Sequence, residues 1–190
     1  MRIVGGRWRG RKLAELGAGD AAAHLRPTTD RVRETLFNLL VNGRHDVQIE
    51  GARVLDLFAG TGALGLEALS RGAVQCTFVD DGTAARALIR ENIALCGQQG
   101  TTRVFRRDAT QLGPALETYD LVFLDPPYGK GLGEAALASA RQGGWLAPGA
   151  VIAWEESAPP MVPEGLETLE QRRYGGTWIT LLRTVEAALP

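Results

Sequence analysis

From residue 51 onward, short apolar runs alternate with segments whose apolar positions recur at helical spacing. The runs predict buried strands and the periodic segments predict helices, in the order strand 53–58, helix 63–71, strand 76–80, helix 83–96, strands 103–106 and 119–124, helix 132–141 and strand 150–154. Parallel strands need long crossover connections, and an intervening helix supplies one. The pattern therefore predicts an α/β fold, a mostly parallel sheet with helices on both faces.

The carboxyl-terminal part departs from this alternation. Two strand-like runs, 168–174 and 177–184, flank Gly175-Gly176, which is a strong hairpin signal. We therefore expect the last strand to run antiparallel at or near the edge of the sheet.

The amino-terminal part also differs. Residues 1–13 hold extended stretches broken by glycines, which predicts a small β-hairpin, and the segment up to residue 27 is rich in glycine and alanine. Residues 28–30 then offer N-cap candidates for a helix with one apolar stripe, and Gly43 is its expected end. We expect two units, an N-terminal arm with its linker at 1–27 and a main domain at 28–190.

Composition limits the protein class. The chain has 190 residues, 45% hydrophobic and 23% charged, which suits one globular core, and it has no apolar run long enough to span a membrane and no signal-peptide pattern at its start. Cys76 and Cys96 form no Cys-x-x-Cys pair, so we expect reduced thiols and no metal site. A cytoplasmic location and a monomer are the expectations.

Charge is unevenly distributed along the chain. Residues 1–33 hold eight basic and three acidic groups, a balance of +5, whereas the remainder holds 13 basic and 19 acidic groups, a balance of −6. A cationic arm on an acidic body is typical of a protein that binds nucleic acid phosphate, although a solvated basic face would look the same. The candidate RNA-binding residues are Arg7, Arg9, Arg11, Lys12, Arg26 and Arg31.

A glycine turn joins the first core strand to its helix. Gly60, Gly62 and Gly65 satisfy G-x-G-x-x-G, and Asp80 follows about twenty positions later at the end of the next strand. In open parallel sheets ligands bind beyond the carboxyl ends of the strands, where this turn lies. The motif alone fits either a dinucleotide or S-adenosylmethionine. A carboxylate at Asp56 would repel pyrophosphate and attract the cationic amino group of a methionine moiety. Asp56 therefore favours S-adenosylmethionine over a dinucleotide.

The run Asp125-Pro126-Pro127-Tyr128 follows the fourth core strand at the same sheet edge. Two prolines hold a backbone carbonyl in nearly fixed geometry. The Asp125 carboxylate and the Pro126 carbonyl could accept hydrogen bonds from the two N–H groups of an exocyclic nucleobase amine, and Tyr128 could stack on the base. The run therefore predicts methyl transfer to a nucleobase amino group, with these four residues as the catalytic set.

These segments together resemble the RsmD family, bacterial 16S ribosomal RNA guanine N2-methyltransferases that modify guanine-966. The resemblance runs almost end to end and is carried by residues 1–13, 26–38 (R-P-T-T-D-R-V-R-E-T-L-F-N), 56–62 (D-L-F-A-G-T-G), 125–128 (D-P-P-Y) and 174–177 (Y-G-G-T). It implies a class I, Rossmann-like methyltransferase with a seven-stranded sheet, S-adenosylmethionine as methyl donor, and 16S ribosomal RNA in the small subunit or its assembly intermediate as partner.

Carried over by position, the resemblance also implies the cofactor contacts. They are Asp56, Phe58, Gly60, Thr61, Gly62, Asp80, Asp108 and Ala109, with Asp80 at the ribose and Asp108 at the adenine. Asp108 could equally be a helix N-cap. Where the family commonly has glutamate, this chain has Asp80 followed by Asp81, so either could hold the ribose.

Three alternatives remain open from the sequence. An RNA-binding or assembly protein that has lost catalysis is disfavoured, because the glycine turn and the 125–128 run both look complete. Another RNA or DNA base could be the methyl acceptor, although a DNA enzyme usually carries a recognition domain for which this chain has no room. A nicotinamide-dependent oxidoreductase would use the glycine turn but leave the 125–128 run and the basic arm without a role.

Overall fold

The computed structural model describes residues 1–15 and 29–185. Within them, seven strands form one sheet in the order β3-β2-β1-β4-β5-β7-β6. The strands are β1 Arg53–Leu57, β2 Gln75–Val79, β3 Thr102–Phe105, β4 Tyr119–Leu124, β5 Leu146–Glu156, β6 Leu166–Tyr174 and β7 Thr177–Thr184. The helices are α1 Asp30–Asn42, α2 Ala63–Ser70, α3 Thr83–Cys96 and α4 Leu132–Gln142.

Strand direction follows the connections. β1 to β5 are parallel, and β7 pairs antiparallel with both β5 and β6. The predicted hairpin at Gly175-Gly176 is therefore confirmed, with β6 as the edge strand. The class I, Rossmann-like fold with antiparallel carboxyl-terminal strands is also confirmed.

Two hydrophobic clusters pack on opposite faces of the sheet. Helices α1, α2 and α3 bury their apolar sides in one cluster, and α4 covers the other together with a short 3-10 turn at Ala109–Gln111. The alternating apolar residues of the strands divide between the two clusters, as expected for strands buried on both sides.

Helix α1 begins and ends where the sequence predicts. Thr29 is the N-cap, because its Oγ1 accepts a 3.3 Å hydrogen bond from the backbone N–H of Val32, and Gly43 follows the last turn. The helix buries Leu36, Phe37 and other residues of its apolar stripe in the first cluster.

Most predicted strand bounds differ from the structure by one or two residues, and the end of β1 and the start of β5 differ for a clear physical reason. β1 ends at Leu57, because Phe58 turns into the left-handed region at φ +57°. β5 begins at Leu146 rather than residue 150, because an irregularity in its pairing with β4 accommodates Pro148 and Gly149 within the strand.

The N-terminal segment, residues 1–15, is less regular than the predicted hairpin. It folds back on itself around a 3-10 turn at Gly6–Trp8, with one isolated antiparallel bridge between Arg2 and Lys12 in place of two strands. Ile3 is fully buried in the first cluster. The segment therefore packs against the main domain, and the division into two units stays a prediction.

Candidate active site

Three adjacent strands deliver the candidate residues to one edge of the sheet. In the middle of the sheet, Leu57 at the end of β1 is paired with Val79 at the end of β2 and with Leu124 at the end of β4. The glycine loop, residues 58–62, follows β1, and the proline loop, residues 125–128, follows β4. The two loops therefore leave the same edge from neighbouring strands.

The glycine loop is a tight turn with three residues in the left-handed region. Phe58, Gly60 and Gly62 have φ values of +57°, +58° and +77°, so one of the three is a non-glycine in a costly conformation. A side chain at Gly62 would press on the ring of Phe78, whose Cε1 lies 3.2 Å from the Cβ position. At Gly60 the nearest such atom, a backbone oxygen, is 3.9 Å away. Gly62 thus allows the loop to pack closely against Phe78, whereas the space beside Gly60 is open to a ligand.

Asp80 ties this loop to the end of β2. One carboxylate oxygen accepts a 2.9 Å hydrogen bond from the Gly60 N–H, and the other accepts one of 2.8 Å from the Gly82 N–H. Burial raises the pKa of Asp80 above its ordinary value, and these two hydrogen bonds oppose the rise. The neighbouring Asp81 is exposed. A contact of either carboxylate with ribose stays a prediction.

Asp56 lies beneath the glycine loop. It is 1% exposed, and its Oδ2 accepts a 2.9 Å hydrogen bond from the Gly65 N–H in the first turn of α2. Burial raises the pKa of Asp56 to about 8, and the negative charge of Asp80 adds to the rise. In the structure Asp56 therefore stabilises the glycine loop by joining the strand before it to the helix after it. Its expected contact with an amino group stays a prediction.

Asp108 acts as an N-cap, the alternative that the sequence left open. Its Oδ1 accepts hydrogen bonds from the backbone N–H of Thr110 at 2.8 Å and from the Thr110 hydroxyl at 2.7 Å. Asp108 is exposed, and Ala109 beside it is buried. Capping uses Oδ1, and hydrogen bonding of the same side chain to adenine stays a prediction.

The proline loop is fastened to the neighbouring strands through its last residue. The Tyr128 hydroxyl donates a 2.7 Å hydrogen bond to Glu155 Oε1 on β5 and lies 3.2 Å from Thr177 Oγ1 on β7. Burial and the adjacent Glu155 raise the pKa of Tyr128 above its ordinary value. Asp125 is half-buried, and the prolines that follow it are buried (Pro126) and exposed (Pro127).

Glu155 and Thr177 were missed as site residues by sequence reasoning. Glu155 is 7% exposed at the carboxyl end of β5, and the next residue, Glu156, accepts a 3.1 Å hydrogen bond from the Gly129 N–H. Two consecutive glutamates ending an apolar strand, Trp154-Glu155-Glu156, were the available signal. A strand end at this edge of the sheet faces the same site as the proline loop.

The basic residues of the N-terminal segment have different surroundings. Arg9 and Lys12 are exposed, as is Arg31 on α1. Arg7 donates a hydrogen bond to the Leu69 carbonyl, and Arg11 donates one to the Leu95 carbonyl. Arg26 lies outside the described residues. Binding of RNA by these six residues stays a prediction.

A buried ion cluster holds the N-terminal segment against α1 and α2. Arg33 and Glu67, both fully buried, form an ion pair with Nε 3.6 Å from Oε2, and Arg71 donates to Glu67 Oε1 at 3.0 Å. Glu67 also accepts a 2.9 Å hydrogen bond from the Val4 N–H. Removing one member of such a cluster would leave an uncompensated buried charge. Arg33 therefore has a structural role and is not part of a solvent-facing basic surface.

Metal-binding clusters and membrane-spanning helices are both absent from residues 1–15 and 29–185. In that part of the chain, no group of three or more His, Cys, Asp and Glu side chains is arranged to hold a metal ion. Of the helices described there, none is long and apolar enough to cross a membrane.

Comparisons with known proteins agree with this architecture. A family model described as conserved hypothetical protein 95 matches residues 1–183. The chain belongs to this family. Two curated relatives share the name ribosomal RNA small subunit methyltransferase D. The one from Escherichia coli strain K12 is 43% identical over 86% of this chain and 79% of its own length, and the one from Haemophilus influenzae is 37% identical over 92% and 89%.

A solved structure resembles the fold closely. The Escherichia coli protein YhhF superposes with a TM-score of 0.81 at 39% identity, covering 98% of this chain and 99% of that one. The resemblance to the RsmD family, inferred from sequence motifs, is confirmed by these relatives, and the chain is a member of a family of ribosomal RNA methyltransferases.

Proposed function

We propose that the protein transfers a methyl group from S-adenosylmethionine to the exocyclic N2 amino group of a guanine in 16S ribosomal RNA of the small subunit. One observation carries the proposal. The proline loop, with Asp125 and Tyr128, follows β4 directly beside the glycine loop that follows β1. A candidate amino-group site thus adjoins a candidate cofactor site on one sheet edge. The names of the two curated relatives support the ribosomal substrate.

The glycine loop fits S-adenosylmethionine better than a dinucleotide. The space beside Gly60 lets a ligand approach the backbone, and residues 56–62 contain no basic side chain that would neutralise pyrophosphate. The nearby carboxyl groups, Asp56 and Asp80, suit an ammonium group and ribose hydroxyls, respectively. Because residues 56–62 offer pyrophosphate no cationic partner, the nicotinamide-dependent alternative is disfavoured.

The residues of the proline loop would act by orienting the methyl acceptor, the guanine amino group. S-Adenosylmethionine, when bound, supplies an electrophilic methyl group on a sulfonium. Asp125 and the Pro126 carbonyl would accept hydrogen bonds from the guanine amino group and direct the nitrogen lone pair toward that methyl group. As the carbon–sulfur bond breaks and the carbon–nitrogen bond forms, the nitrogen becomes acidic, and Asp125 or water would take its proton.

Tyr128 would stack on the guanine and hold it in the site. An aromatic ring contributes about 1 to 3 kcal/mol per stacked base in single-stranded recognition. The N-terminal segment, with Arg9 and Lys12 exposed, would contact phosphates of the same RNA. The cytoplasmic location and monomeric state expected from the sequence are compatible with this function.

Calorimetric titration tests the cofactor assignment. Wild-type protein is titrated separately with S-adenosylmethionine, S-adenosylhomocysteine and NAD. We expect binding of the first two and none of the third. Binding of NAD alone would overturn the proposed function in favour of an oxidoreductase.

A further inference from the structure

One fully buried side chain joins the N-terminal segment to the glycine loop. Asn92 on α3 is 0% exposed, and its Oδ1 accepts a 2.7 Å hydrogen bond from the Ala14 N–H. Its Nδ2 donates to the Ala14 carbonyl at 3.1 Å and to the Thr61 carbonyl at 2.9 Å. The acceptor and both donors of the amide are therefore used, a combination that neither a carboxylate nor an apolar side chain reproduces.

A second contact joins the same two parts. The Thr61 hydroxyl lies 3.7 Å from the sulfur of Met1, whose backbone carbonyl accepts a 3.1 Å hydrogen bond from the Leu13 N–H. Both ends of the folded segment are thus linked to Thr61 in the glycine loop, Met1 directly and Ala14 through Asn92. A displacement of Thr61 would disturb the segment, and the reverse also holds.

Another anchor of the segment has no such link and serves as a comparison. The Ser70 hydroxyl donates to the Gly5 carbonyl at 2.7 Å and accepts from the Trp8 N–H at 3.0 Å. These bonds hold the segment on α2, at the end of that helix away from the glycine loop.

We propose that Asn92 is a positioning residue that couples the N-terminal segment to the glycine loop, so that cofactor binding and the ordering of that segment favour each other. The inference rests on the proposed function, in which the loop holds the cofactor and the segment contacts RNA. Coupling between two binding sites is reciprocal. S-Adenosylhomocysteine would therefore strengthen RNA binding, and RNA would strengthen cofactor binding.

Three variants separate coupling from folding. Asn92→Asp keeps an acceptor for the Ala14 N–H but replaces the amide group that donates to the Ala14 and Thr61 carbonyls. Ala14→Pro leaves Asn92 intact and removes the N–H that it binds, at a half-buried position. Ser70→Ala loosens the segment elsewhere and is the matched control.

Two measurements are made on each variant, after circular dichroism has established its fold. Titration calorimetry gives the dissociation constant of S-adenosylhomocysteine, and hydrogen exchange gives the protection of the Leu13 amide with and without that ligand. We expect the dissociation constant to rise about tenfold in Asn92→Asp and about threefold in Ala14→Pro, and to stay within about twofold in Ser70→Ala. The ligand should slow Leu13 exchange in wild type and Ser70→Ala but not in Asn92→Asp.

A folded Asn92→Asp variant with wild-type affinity and wild-type protection of Leu13 would overturn the coupling. If that variant does not fold, the test passes to Ala14→Pro. Wild-type cofactor affinity and wild-type protection of Leu13 in Ala14→Pro would also overturn the coupling. A wild-type protein that binds no S-adenosylhomocysteine would instead overturn the proposed function, and the coupling with it. The two failures are therefore distinguishable.

Discussion

The hydroxyl of Tyr128 lies 2.7 Å from Glu155 Oε1, so the last residue of the proline loop is fixed to strand β5. The Oγ1 of Thr177 on β7 is also within hydrogen-bond distance of this hydroxyl, at 3.2 Å. The ring is therefore held between the proline loop and the antiparallel strands of the sheet. The ring proposed to stack on the target base is thereby restrained before any RNA arrives, which reduces the entropic cost of binding.

Removal of this hydroxyl should weaken positioning and leave stacking possible. We expect Tyr128→Phe to lower kcat/KM for RNA about three- to tenfold, with unchanged affinity for S-adenosylmethionine, because one hydrogen-bonded anchor is removed while the ring remains. The matched control is Tyr119→Phe, which removes a hydroxyl that donates to Thr77 at 2.8 Å in the core. The control should lose stability but not activity, and equal kinetic losses in both variants would contradict a positioning role.

Asp125 should matter for methyl transfer rather than for cofactor binding. We expect Asp125→Ala to lower kcat about a hundredfold or more, because it removes a hydrogen-bond acceptor from the reacting amino group, with cofactor affinity within a few-fold of wild type. The control is Asp120→Ala, which removes a carboxylate near the start of β4, the strand that Asp125 follows. Asp120 accepts a hydrogen bond from the Arg53 N–H there. A near-normal rate for Asp125→Ala would remove this residue from the mechanism.

Protonation of Asp56 should change when the cofactor binds. Its pKa of about 8 means that the folded protein keeps this proton at pH 7, although an unfolded chain would have released it. In the window from about pH 4 to about pH 8, the folded state thus binds more protons through this group, and its contribution to stability falls as the pH rises. A cationic amino group bound nearby would lower the pKa and release the proton.

Calorimetry in buffers of different ionisation enthalpy measures this release. At pH 7 we expect wild type to release a substantial fraction of one proton per S-adenosylmethionine bound, and Asp56→Asn to release clearly less. Equal proton release by the two proteins would mean that the Asp56 charge does not respond to the cofactor.

The basic residues of the N-terminal segment should make RNA binding sensitive to salt. We expect Arg9→Ala with Arg11→Ala to weaken RNA binding and to reduce the slope of log affinity against log salt by about one unit for each phosphate that the variant no longer neutralises. Because Arg11 also donates to the Leu95 carbonyl, thermal unfolding must be measured in parallel. The control is Arg44→Ala with Arg141→Ala, two exposed arginines beyond α1 and within the last turn of α4. An unchanged slope would give the segment a purely structural role.

Much of the fold could be predicted from the sequence, because local periodicity encodes it. The strand-helix alternation and the Gly175-Gly176 hairpin follow from spacing alone, and a seven-stranded sheet, implied by the family resemblance, is present. The positions of the glycine and proline loops at one sheet edge also follow, because parallel strands place their carboxyl ends together.

The polar contacts between distant segments could not be predicted, because no periodicity encodes them. Arg33 counted as one of eight basic groups near the start of the chain, yet it is fully buried against Glu67. Asn92 was hidden within an ordinary amphipathic helix, and its bonds to Ala14 and Thr61 span 78 and 31 positions. Such pairs become visible only when the fold has brought the segments together.

The most direct test of the central claim is methyl transfer to ribosomal RNA. Small ribosomal subunits from a strain that lacks this gene are incubated with the protein and with S-adenosylmethionine carrying a labelled methyl group, and the digested 16S RNA is examined by mass spectrometry of its nucleosides. We predict labelled N2-methylguanosine with wild type and none with Asp125→Ala. Label in a different nucleoside, or no transfer by a protein that binds the cofactor, would contradict the assignment of a 16S guanine amino group as the target.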